Sequence, residues 1–107
     1  MAFALTMTAG DDRYFVAVFT LSGRAYDLTG CGLTFTATDG AGHTITHSLN
    51  DGHVTVPNDA LGNAVLYVAA GDTSGWSTVI ALNGRWVLVD AGGHTITAEE
   101  GTLTVSP

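Results

Sequence analysis

Residues 33–49, LTFTATDGAGHTITHSL, decide the fold. Leu33, Phe35 and Ala37 alternate with threonines, a period of two that puts apolar side chains on one face of an extended strand and hydroxyls on the other. Asp39-Gly-Ala-Gly then supplies turn chemistry, and a Thr-rich strand returns through Ile45. The same five residues, GHTIT, recur at 93–97 inside RWVLVDAGGHTITAE. Aligned on that echo, Phe35 matches Trp86 and Asp39 matches Asp90, but soon afterwards His47-Ser48-Leu49 faces Ala98-Glu99-Glu100. A duplicated half-domain would extend further, so the echo reads as two hairpins that use one kind of turn.

The alternation continues in Phe3-Leu5-Met7, Val54-Val56 and Leu103-Val105, with glycine-rich turns such as LSGR, LNDG, LNGR and EEG between the runs. Many short strands at such intervals predict an all-β chain: an immunoglobulin-like antiparallel β-sandwich of about eight strands. A length of 107 residues fits one domain spanning 1–107. GDTSGWSTVIAL departs from the pattern, since Asp72 can cap a short helix and Trp76, Val79 and Ile80 fall at i, i+3 and i+4. A helical turn near 72–80 is expected to plug one end of the core.

Three strands, at 13–21, 63–70 and 85–91, are apolar on both faces. A two-layer sandwich covers one face of each sheet, so the second face must be hidden by loops or by another subunit. We take a subunit contact as the expectation, with Phe15, Phe19, Tyr67 and Val87 as candidate interface residues.

Charged residues make up 12% of the chain, and ten acidic residues against three arginines give a formal charge of −7. Such a surface repels nucleic acid and anionic membranes, so neither is expected as a partner. The lone Cys31 cannot form an internal disulfide, and it reads as a small apolar residue at the start of a strand. MAFALTMTAGDDR has no basic residue before its apolar stretch, which argues against a signal peptide, and no run approaches the ~20 apolar residues of a membrane span.

GDDRYFVAVF followed by a turn and YDLTGCGLTFTA, then DGHVTV, GNAVLYVAAGDTSGW and GTLTV in that order, resembles the N-terminal immunoglobulin-like module of tailed-phage upper baseplate proteins and related small virion proteins. The resemblance runs over nearly the whole chain. It implies a building block of a bacteriophage virion, made in the host cytoplasm and residing in the tail, baseplate, neck or head-fibre attachment. It further implies assembly with other virion proteins and with copies of itself, a trimer being favoured, and it implies no catalytic residues.

The residues themselves offer little chemistry. His43 and His47 share a strand face but sit about 13 Å apart at ~3.3 Å per residue, too far to hold one ion. A metal site would need histidines from different elements together with Asp39, Asp51 or Asp90, and no short ligand spacing points to one, so no metal or other cofactor is expected. There is no Gly-x-Ser-x-Gly turn, the paired acids Asp11-Asp12 and Glu99-Glu100 point to opposite strand faces, and the glycine runs lack a phosphate loop's lysine. No enzyme activity is expected. The alternative is a glycan-binding adhesion module, in which Tyr26 and Trp76 stack on a sugar and Asp27, Asn58 and Asp59 supply hydrogen bonds.

Overall fold

A computed structural model describes residues 3–21, 23–58 and 62–107. Its strands are β1 (Phe3–Thr8), β2 (Arg13–Val18), β3 (Thr20–Leu21), β4 (Arg24–Ala25), β5 (Gly32–Thr38), β6 (Thr44–Ser48), β7 (Val54–Asn58), β8 (Asn63–Val68), β9 (Ile80–Val89) and β10 (Thr95–Ser106), with one helix, α1 (Ala70–Thr73), after β8. A five-stranded sheet, β1-β10-β9-β5-β6, lies on a three-stranded one, β2-β8-β7, and β3 and β4 form a separate small ribbon. The eight strands of the two sheets make the expected immunoglobulin-like sandwich. One pairing departs from the antiparallel expectation, because β1 runs parallel to β10, with Leu5 opposite Leu103. The chain leaves β1 by a turn through Gly10, at φ 81°, and enters the other sheet. That frees β1 to line the last strand without a hairpin constraint on direction.

The alternation seen at 33–37 is the buried face of β5: Leu33, Phe35 and Ala37 are all inside. The two echoed hairpins, β5–β6 and β9–β10, lie side by side, because β5 pairs antiparallel with β9 and Phe35 stands directly opposite Trp86. Their turns therefore point to opposite ends of the sheet. Phe35 and Trp86 meet edge to face at 5.2 Å, Phe19 from the facing layer meets Trp86 at 5.6 Å, and Phe3 reaches Phe35 at 6.0 Å. Gly84 makes room for this cluster: a Cβ there would come within 3.0 Å of the Phe3 ring and 3.2 Å of Phe35.

The helical turn is shorter and earlier than expected. It ends at Thr73 because Ser74 is extended and Gly75 takes φ 85°, so Trp76 only half-packs on the core and Val79 is exposed. Its fixing points are polar. Buried Thr73 accepts a hydrogen bond from the Gly10 amide at 2.9 Å, and Asp72 accepts one from the Ala69 amide at 2.9 Å, covering an amide at the helix start.

Phe15 and Phe19, taken from the sequence as interface residues, are in the core, 7% and 4% exposed. The period of two puts both on one face of the strand, and that face is the one turned to the other sheet; Tyr14, Val16 and Val18 lie on the opposite, outer face.

Candidate functional site

Half of the exposed large apolar side chains among the described residues lie on the outer face of the three-stranded sheet. Tyr14, Val16 and Val18 on β2 are 66%, 67% and 52% exposed. Directly behind them on β8, Tyr67 is paired with Tyr14 and Val65 with Val16, both half-buried. Among the described residues β2 pairs with β8 alone, so its other side is a free strand edge there. No acidic residue lies in 13–21 or 63–68, although the chain carries ten. Of the expected interface residues, Tyr67 belongs to this face. Val87 is half-buried on the outer side of β9 in the other sheet.

From this face a row of stacked rings runs toward the flank of the sandwich. Tyr14 stacks on Tyr67 at 4.8 Å, Tyr67 on His53 at 5.1 Å, and His53 on His47 at 4.0 Å. Carboxylates anchor it at several points. Tyr67 donates to Asp12 at 2.9 Å, which holds the phenol above its usual pKa, and Asp12 also accepts from the Ala70 amide at 2.8 Å. His53 Nδ1 lies 3.0 Å from the Tyr67 carbonyl, an acceptor, so that nitrogen carries the proton.

His47, 8% exposed, has a carboxylate on each nitrogen: Asp51 is 2.8 Å from Nδ1 and Asp72 is 2.8 Å from Nε2. Burial disfavours the imidazolium, but the hydrogen bonds from Asp72 and Asp51 outweigh it and raise the His47 pKa above 6.5. A neutral ring would leave one lone pair facing an anion. Burial also acts on Asp51, pushing its pKa up, yet the amide of His53 and the His47 ring lower it on balance below 3.8. The sign of the linkage follows. The His47 contribution is fully present below the unfolded-state value of 6.5 and is lost as pH rises through the higher folded value. That of Asp51 is present above 3.8 and is lost as pH falls through its depressed value. Thermal midpoints measured from pH 5 to 9 are therefore expected to fall on the alkaline side, and His47→Gln is expected to flatten that limb.

The echoed turns are built alike. Asp39 accepts from the amides of Ala41 and His43 and holds His43 Nδ1 at 2.6 Å; Asp90 accepts from the amides of Gly92 and His94 and holds His94 Nδ1 at 3.2 Å. These bonds lower the pKa of both carboxylates, the Ala41 amide contributing most to Asp39 and the His94 amide most to Asp90. Each aspartate closes its own hairpin, and the two histidines sit at opposite ends of the sheet.

The candidate glycan contacts do not meet. Tyr26 binds the Phe19 carbonyl at the end of the β2–β8 pair where Val18 faces Asn63, while Trp76 follows α1 at the Val68 end and packs on His43 at 4.8 Å. Asp27 is engaged by the hydroxyl and amide of Thr29, which lower its pKa, and Asp59 and the Asn58 side chain lie outside the described part of the structure.

The sequence allows a site built from histidines of different elements with Asp39, Asp51 or Asp90, but it does not single out His47 and His53 with Asp72. The signal was HSLNDGH, two histidines flanking a tight turn between β6 and β7, strands of different sheets, which brings both to one flank.

No protein-family model matches the chain, and no curated protein does. Among solved structures it is similar to the N-terminal domain of phage TP901-1 ORF48, with a TM-score of 0.56 and 13% identity over all of this chain and 86% of that one. At that identity the likeness is one of fold. No helix among the described residues is long and apolar enough to cross a membrane.

Proposed function

We propose that this chain is a non-enzymatic structural component of a bacteriophage virion, a single β-sandwich unit that works by protein–protein assembly. The observation that carries the reading is the uncovered row Tyr14, Val16 and Val18 on an edge strand with no charged residue among them. Natural edge strands are usually blunted by lysine, proline, a bulge or shortness; β2 shows neither lysine nor proline and pairs with β8 in unbroken register over Arg13–Val18. Such a strand suits burial in a contact.

The occupant is a further copy of the chain. Two bodies of charge −7 repel, and the strands of this face carry no carboxylate of their own, Asp12 beside Tyr67 and Glu99 near Val16 and Val18 standing at its rim, so this is where copies can approach. The resemblance to phage upper baseplate modules favours a trimer, and the likeness in fold to a phage domain agrees with a place in the particle, whether tail, baseplate, neck or head-fibre attachment. Synthesis in the host cytoplasm follows from that reading. The glycan alternative is the weaker one because its two aromatic residues lie at opposite ends of the β2–β8 pair. Mass spectrometry of purified particles from a phage encoding this chain is expected to find it at a fixed stoichiometry. Its absence from intact, infectious particles would overturn the proposal.

A further inference from the structure

We propose that His47, His53 and Asp72 form a binding site for a divalent transition-metal ion, zinc being the best match, on the flank where the two sheets meet. The donor atoms of these three residues lie within 4.8 Å of one another, and they come from β6, from the residue just before β7 and from α1. Two imidazole nitrogens and a carboxylate oxygen make a donor set that zinc accepts, with a fourth position left for water or a partner's ligand.

Proximity alone would be a weak argument; the orientation of the rings adds an independent one. His47 Nδ1 points at Asp51 at 2.8 Å and His53 Nδ1 at the Tyr67 carbonyl at 3.0 Å. His53 is thus set with Nδ1 as the donor, which is how metal-binding histidines are held so that Nε2 presents its lone pair, and His47, with a carboxylate at each nitrogen, can keep its Nδ1 proton on Asp51 once Nε2 gives up its own. The carboxylate–histidine pair of Asp51 and His47 is a recurrent form of that support. Asp72 is held in place by the Ala69 amide. The 2.8 Å between His47 Nε2 and Asp72 is the length of a hydrogen bond, so a proton lies between them. Binding replaces the proton, which leaves to solvent.

One movement is needed. The His47 and His53 rings are stacked with planes 16° apart, so their in-plane lone pairs lie in nearly parallel planes and do not converge. The more exposed ring, His53, must tilt toward Asp72, which opens the His47–His53 stack. The ion then ties β6 of the large sheet to β7 and α1, beside the Tyr14–Tyr67 face.

The test uses the full chain without a histidine tag. Titration with zinc at pH 7.5, followed by calorimetry, is expected to show one saturable site per chain, with a rise in thermal midpoint that EDTA reverses. His53→Phe, which keeps a ring in the stack, and Asp72→Asn are each expected to abolish the midpoint shift, and Asp51→Asn to weaken binding by roughly 10- to 100-fold. In the wild-type chain, the Nε2 resonances of His47 and His53 should move on adding zinc while those of His43 and His94 stay. No saturable binding, binding undiminished in His53→Phe and Asp72→Asn, or resonance changes confined to His43 and His94 would each overturn the proposal. The resonance arm decides the matter even if a variant fails to fold.

Discussion

Phe35→Ala is expected to lower the unfolding free energy by about 3–5 kcal/mol, the usual cost of deleting a fully enclosed phenylalanine ring. Phe35 is 0% exposed and touches Trp86 and Phe3, and the neighbouring Gly84 leaves no side chain that could swing into the void. Domain stabilities are about 5–15 kcal/mol, so the loss is a large share of the whole and should appear as a marked drop in the urea midpoint. Thr102→Ala, on the exposed side of β10, serves as the control and is expected to change stability by about 0.5 kcal/mol or less. A cost below about 1 kcal/mol at Phe35 would mean that the facing β5–β9 pair is not the packed centre described here.

The features legible in the sequence are those set by local periodicity. The alternation of Leu33, Phe35 and Ala37 identified a strand and its buried face, and the echoed Asp-Gly turns identified two hairpins of one design. Periodicity could not say which half of β2 turns inward, because 13–21 is apolar on both faces. The packing of the two sheets decides it, with Phe15 and Phe19 inside and Tyr14, Val16 and Val18 outside. The helix reading at 72–80 followed apolar spacing, but Gly75 in a left-handed conformation stops the chain after one turn. The direction of β1 and the arrival of Asp72 beside His47 and His53 are long-range outcomes, fixed by which strands neighbour which across the two sheets. No short window of sequence contains that information.

Val16→Glu is expected to have the largest effect on assembly and almost none on the fold. Val16 is 67% exposed on the outer side of β2, so a glutamate there meets water in the isolated chain and should shift stability by only about 0.5 kcal/mol. In a contact that buries the Tyr14–Val16–Val18 row, each copy would bring an unpaired carboxylate into an apolar interface. That costs on the order of 2–5 kcal/mol, or at least about 30-fold in affinity. The added charge also extends repulsion between copies that already carry −7 each. Val79→Glu, equally exposed at 63% but distant in sequence and outside both β2 and β8, is expected to leave association unchanged.

Assembly requires that the outer face of β2 and β8 be a contact surface. Sedimentation velocity over a dilution series from about 1 to 100 μM, a range matching interfaces of ordinary size, addresses it directly. The expected result is a concentration-dependent oligomer for the wild-type chain, retained in Val79→Glu and reduced to monomer in Val16→Glu. A wild-type chain that stays monomeric throughout, or an oligomer that Val16→Glu leaves intact, would contradict it.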